Sequence, residues 1–275
     1  MISRPLRLVA ALAFASLLGC ETTAAADMAP YRARYSLSLV SSDGSSGVVG
    51  AGGALLDEWN RTCDGWTEQE HFYLHLDYGE DSDQQSDLDS YSSLVSWEAS
   101  DGSRFRFDMR RSSSDEPYEE IRGEAKLTRP GAGGIVVFER PKPTTLQLPR
   151  GALFPAADTR FLIARAEAGD RFVGSRVFDG SDLDNAGEVT AVIGPRLAPG
   201  AVAKVGAPHA ALLDRPSWKI RLAFFPTNPE AVTPDYEESV RLLDNGVLAD
   251  MVFDYGDYRI PAKLEQIDAL PGPHC

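Results

Sequence analysis

The stretch DEWNRTCDGWTEQEHFYLHLDY, residues 57–78, decides the fold. In its second half Phe72, Leu74, Leu76 and Tyr78 take one side, and His71, Tyr73, His75 and Asp77 the other. A period of two is the signature of a strand with one covered face and one wet face. Just before it, Asp64-Gly65 is turn chemistry. The stretch therefore reads as two strands meeting at a turn, with Cys63 beside it.

The same rhythm continues outward on both sides. Tyr31, Ala33, Tyr35, Leu37 and Leu39 alternate with Arg32, Arg34, Ser36 and Ser38. Phe105, Phe107 and Met109 alternate with Arg104, Arg106, Asp108 and Arg110, and Trp218, Ile220, Leu222 and Phe224 with Lys219, Arg221 and Ala223. Asp101-Gly102 and Asn245-Gly246 are hairpin turns. Gly50, Gly52 and Gly53 mark a bulge or bend within a strand. They do not make a dinucleotide loop, because Leu55 stands where the last glycine of that motif belongs. At least ten strands follow from this pattern.

One segment breaks the period. Residues 156–168 follow Pro155, suited to a first helical turn, and stop before Gly169, suited to a C-terminal cap. The spacing predicts a helix with Phe161, Ala164 and Ala168 along one side and Leu162 and Ala166 beside them. The simplest cover for that stripe is the concave face of the sheet. The Pro-, Gly- and Ala-rich loop at 195–216 is the candidate internal boundary or flexible rim.

Composition narrows the class further. A hydrophobic fraction of 43% and a charged fraction of 25% belong to a globular chain. Forty-one acidic residues against 27 basic give a formal charge of -14, which nucleic acid or an anionic lipid surface would repel. Arg4 and Arg7 precede an apolar run from Leu8 to Leu18, too short to span a bilayer. That arrangement is an export signal, residues 1–26. Two cleavage sites compete. Ala24-Ala25-Ala26 before Asp27 suits ordinary signal peptidase, whereas Leu17-Leu18-Gly19-Cys20 resembles a lipobox, with cleavage after residue 19 and lipidation of Cys20. Either way, Cys63 and Cys275 remain in a single domain over residues 29–275. In an oxidising compartment two cysteines point to one disulfide rather than two free thiols.

Motifs for chemistry are few. His71 and His75 lie roughly 13 Å apart along a strand, too far for one ion. Asp179, Asp182 and Asp184 fail the EF-hand spacing and read as a capped turn. No Gly-X-Ser-X-Gly nucleophile elbow occurs. The reading assigns no catalytic residue, no cofactor and no metal.

An ordered set of landmarks carries a family resemblance. It comprises Tyr31-Arg32-Ala33-Arg34-Tyr35, Cys63-Asp64-Gly65-Trp66, Arg104-Phe105-Arg106-Phe107, Phe178-Asp179-Gly180-Ser181-Asp182, and the run from Pro234 to Val247 continuing through Phe253-Asp254-Tyr255-Gly256-Asp257-Tyr258 to Cys275. Together these resemble the periplasmic cell-envelope integrity proteins typified by EipB. The resemblance implies a single antiparallel β-spiral, a curled open half-barrel with one helix packed in its concave face. It also implies a disulfide from Cys275 to Cys63. It implies a non-enzymatic periplasmic role in envelope integrity and stress resistance, exercised through an envelope partner. A lipid or lipoprotein carrier is the alternative, and a cell-wall hydrolase a weaker one. The lipobox at Cys20 departs from the soluble periplasmic pattern.

Overall fold

The computed structural model describes residues 28–43, 46–79, 87–129, 131–202, 210–227 and 232–275. The expected export signal with Cys20, and His209, lie outside the described residues.

The first half of the chain is a run of hairpins: β1 (Tyr31–Ser38), the short β2 (Ser41–Ser42), β3 (Val48–Arg61), β4 (Gly65–Tyr78), β5 (Leu88–Ala99), β6 (Arg104–Ser113), β7 (Glu119–Leu127), β8 (Gly134–Arg140) and β9 (Thr144–Leu148). After the two-residue β10 (Ala152–Leu153) comes α1 (Pro155–Glu167). Then follow β11 (Phe172–Val177), β12 (Gly187–Ile193), the one-turn α2 (Ala210–Leu213), β13 (Ser217–Phe225), β14 (Tyr236–Leu243), β15 (Leu248–Asp254) and β16 (Tyr258–Ala269).

All strands belong to one sheet. Its path runs β10-β11-β12-β13-β14-β15-β16-β1-β3-β4-β5-β6-β7-β8-β9, with β2 pairing beside it on β16. The path holds fifteen strands, within the expected ten or more, and the ones the pattern did not mark are the short or weakly patterned β9, β10 and β12. The first and last strands of the chain meet in the middle of the path, Tyr31 opposite Ala269 and Leu37 opposite Ala262. The path's two ends are joined covalently, because only residues 149–151 separate β9 from β10. Four residue steps reach at most roughly 14 Å. The sheet must therefore curl almost fully round, into a nearly closed barrel rather than an open half. Pro155 stops β10 after two residues by starting the helix, and the two-residue β10 is paired to β11, not to β9.

Glycines fix local geometry at two kinds of position. A Cβ on Gly53 would lie 2.1 Å from the Tyr73 carbonyl oxygen, so β3 and β4 approach there only without a side chain. The bulge expected among these glycines falls between Val48 and Gly50. Gly180 has φ +76, and its Cβ would lie 2.4 Å from the Phe107 ring.

The interior has two apolar regions. The larger joins β1, β3, β4 and β11–β16 to Ala156, Leu162, Ile163 and Ala166 of α1. The smaller is built on Phe105, Phe107, Phe138, Phe154 and Phe178. The buried stripe of α1 differs from the expected one: Ala164 and Ala168 are exposed, and Ile163 is fully buried. The 195–216 loop is no domain boundary where it is described. Leu197 bridges to Ser217, and Val202 and Leu213 are buried in the larger core.

Candidate functional site

Strand parity places carboxylates inside the barrel. Leu74 and Leu76 are buried, so Phe72, Glu70, Glu68 and Trp66 share their inward face of β4. Across the ladder, Asp57 of β3 stands opposite Glu70, and Trp59 opposite Glu68. Glu238 of β14 sits between Leu222 and Phe253 on the same lining. Asp57 is 5% exposed. Glu68, Glu70 and Glu238 keep partial exposure although protein surrounds them, as expected of groups facing a lumen.

Electrostatics there are one-sided. Burial pushes Glu70 up to about 8, and the nearby Asp57, Glu238 and Asp179 carboxylates push it the same way. Burial takes Glu238 to about 7. Glu68 is also raised, by burial and then by Asp57 and Glu70, against the hydroxyl of Ser96, which donates to its Oε2 at 3.2 Å. Asp57 rises to about 6 through burial, opposed by the Tyr31 hydroxyl, which donates to Oδ2 at 2.7 Å. Its Oδ1 has no hydrogen-bond partner. Among the described residues no lysine or arginine forms an ion pair with any of these four carboxylates.

Beside this seam lies a cavity of about 590 Å³. Phe72, Tyr236, Phe253 and Tyr255 form an aromatic wall, Met109 and Leu88 add apolar surface, and Glu238 connects it to the seam. Phe72 and Phe253 meet edge-on at 5.8 Å, although they come from β4 and β15, well apart in the sheet path. Arg111 is the one basic residue of the lining. Its guanidinium is already engaged, by Glu119 at 2.7 Å and Asp182 at 3.2 Å.

A second interior carboxylate is built differently. Glu98, 2% exposed, accepts the backbone N–H of Ala156 at 2.7 Å and of Ala157 at 2.9 Å, with Arg160 at 3.5 Å. It caps α1 from another strand, supplying the acceptor that Phe154 at the N-cap lacks. Burial raises it to about 7, and those two N–H groups and Arg160 hold it back from rising further.

A family model described as EipB-like matches residues 22–271. The chain belongs to the EipB-like family. It is 31% identical over 260 residues to the cell envelope integrity protein EipB of Brucella abortus, covering 93% of this chain and 89% of that protein. A solved β-barrel-like protein from Brucella abortus, also 31% identical, matches with a TM-score of 0.78 over 89% of this chain and 99% of its own.

In this EipB-like chain Cys63 and Cys275 are joined, with Cα atoms 5.7 Å apart and a sequence separation of 212. The turn at 179–184 is capped, Asp179 accepting the Ser181 N–H at 2.9 Å and its hydroxyl at 2.7 Å, while Asp182 faces Arg111 and Asp184 accepts from Thr227. His71 and His274 are exposed. His75 contacts Asp89 at 3.0 Å and Asp77 at 3.1 Å. His75, Asp77 and Asp87 have donor atoms within 4.8 Å of one another, the one grouping among the described residues able to hold a metal ion. The zinc pair considered from sequence, His71 with His75, is not brought together: the two lie on opposite ends of a strand segment that pairs Ser93 and Asp89.

Proposed function

We propose that the protein maintains the integrity of the cell envelope from the periplasm, acting by binding an envelope partner rather than by catalysis. The observation that supports this reading is family membership over nearly the whole mature chain, with a relative named for that role covered to 89% of its length. The partner is an envelope protein, a lipid or a lipoprotein. Deleting the gene should sensitise cells to membrane-active detergent, with rescue by the intact gene. A deletion strain as resistant as its parent would sink the proposal. Crosslinking in intact cells would then identify the partner.

A carrier of acyl chains, with the helix lining the bowl of a β-spiral, is the second reading, and the interior argues against it. Trp218 and Phe107 are consumed by the cores, and the open cavity carries Glu238, Glu119 and Asp115. Mass spectrometry of gently purified protein checks this, with co-purifying lipid as the outcome that would revive it. Hydrolysis is tested by digestion of purified peptidoglycan, for which the facing Asp57 and Glu70 would be the first carboxylates to mutate. Cys20 decides the anchoring: lipidation predicts release from membranes by Cys20→Ser, whereas cleavage after residue 26 predicts an unblocked Asp27.

A further inference from the structure

The carboxylate seam is the least explained feature of the interior. Four acidic side chains converge from three strands, and the single basic residue of the adjoining cavity is already neutralised by two other carboxylates. The groups facing Glu70 and Glu238 are all acidic or phenolic. They are Asp57 from β3, Glu68 from β4, Tyr236 from β14, and Asp179 and Tyr255 beyond, while Tyr31 and Tyr35 from β1 face Asp57. Unpaired interior carboxylates are costly, and proteins keep them either protonated or matched to a cation. Asp57 adds an independent sign: it is almost fully buried on the lining, and one of its oxygens lacks any partner.

We propose that the barrel interior binds a linear organic polycation, its ammonium groups taken by Glu238, Glu70, Asp57 and Glu68 and its methylene stem by the aromatic wall. Three features select this chemistry. First, the carboxylates are strung along the inward face of the sheet, with Glu238 at the cavity. Glu68 and Glu70 are two residues apart on one face, hence roughly 7 Å, and Asp57 faces Glu70 directly. A ligand with several spaced charges matches that string better than a point charge does. Second, Phe72, Tyr236 and Phe253 offer aromatic surface, whose ring faces attract ammonium groups and whose faces and edges cover alkyl stems, but which coordinates no metal. Third, the cavity of about 590 Å³ is the size of a small organic ligand and far larger than an ion needs. The carboxylates equally disfavour a fatty-acyl chain or an anion. Binding replaces protons on Glu70 and Glu238 by ligand charge, so it must release protons near neutral pH. This site is separate from the envelope role and would stand if that role failed.

The probe is spermidine, titrated calorimetrically into the oxidised mature protein. Runs near about pH 6 and about pH 8.5, in buffers of different ionisation enthalpy, count the protons released. Binding should be saturable, stronger by roughly tenfold at the higher pH, and accompanied by proton release near neutrality. The double variant Glu70→Gln, Glu238→Gln imitates the protonated acids and should melt no lower than the wild type at either pH. It should lose most of the affinity and its pH dependence. Tyr236→Leu, which leaves every charge in place, should weaken binding several-fold. Absence of saturable binding would overturn the proposal. Affinity unchanged in both variants would overturn it too, because the heat would then come from the acidic outer surface. Complete displacement of spermidine by an equal concentration of magnesium would reassign the seam to simple metal ions.

Discussion

Glu98 and Glu70 stand on neighbouring strands of one sheet, both turned inward, and their surroundings treat them differently. Burial is the largest cause of the shift in both, which takes Glu98 to about 7 and Glu70 to about 8. Partners then act in opposite directions. Two helix N–H groups and a guanidinium converge on Glu98, whereas Glu70 faces Asp57, Glu238 and Asp179. Burial raises the cost of both interior carboxylates, and the sign of what lies around each then adds to that cost or offsets it. Glu98 holds a helix to a sheet. Glu70 itself has no ion pair among the described residues, and the charge gathered around it is better explained by something that comes in.

The disulfide sets the scale against which both carboxylates are measured, since it ties the tail after β16 to the turn before β4. By the chain-entropy model, closing a loop this long contributes on the order of 5 kcal/mol, an upper figure. Cys63→Ser and Cys275→Ser should lower stability equally in urea unfolding, and the double variant should add little. Additive losses would mean that the two residues act separately. The next largest effect is expected at Glu98. Glu98→Ala leaves Ala156 and Ala157 N–H groups unmet and Arg160 poorly partnered, at a cost of about 3 kcal/mol. If Glu70→Ala costs as much as Glu98→Ala, the contrast drawn between them is wrong.

The contrast sharpens with pH. Raised carboxyl values mean that the folded protein binds more protons than the unfolded chain, in which glutamate titrates near about 4.3. Stability must therefore fall as pH rises from there through about 7 for Glu238 and about 8 for Glu70, then level off. Partial exposure screens the effect, so about 1–2 kcal/mol is expected over that range. Denaturant midpoints between pH 5 and 9 would show it, and the Glu70→Gln, Glu238→Gln variant should flatten the curve. A wild-type profile that rises towards pH 9 would contradict the assignment of unpaired acids to the interior.

The fold and the seam were unequally legible in the sequence. Strand parity along 71–78 places Leu74 and Leu76 inward, and the hairpin turns at Gly102 and Gly246 fall where their dipeptides stand, both with positive φ. Continuing the same parity backwards from Phe72 puts Glu70 and Glu68 on the inward face, and from Tyr31 and Trp59 it puts Asp57 there. Charged residues at apolar-parity positions were thus the available signal. What no periodicity could supply is that β14 would bring Glu238 to the same place, because that depends on the long-range pairing of β16 with β1. Near-closure was hidden for a related reason: it follows from β9 and β10 being consecutive in sequence yet at opposite ends of the path. The helix stripe was misjudged around Ile163 because two of its four buried positions, 156 and 166, are alanines and leave the apolar face weakly marked.

The smallest effect tests the seam at the hydroxyl that supports Asp57. Tyr31 gives Asp57 its only side-chain hydroxyl bond, 2.7 Å to Oδ2, and both groups are buried. Tyr31→Phe keeps the ring and removes the donor. That bond holds the carboxyl below where burial alone would set it, so its loss moves Asp57 further above its value of about 6. A folded value raised further costs stability only above the unfolded value of about 3.9, where the unfolded carboxyl is ionised. Tyr31→Phe should therefore cost about 1 kcal/mol near pH 8 and less near pH 5, where the folded carboxyl is mostly protonated in both proteins. Adding Asp57→Asn should remove the pH dependence of the difference, since the amide carries no charge to support. A loss from Tyr31→Phe that is the same at both pH values would mean that the hydroxyl contributes packing or a neutral bond alone, and that Asp57 is not strained by its neighbours as Glu70 is.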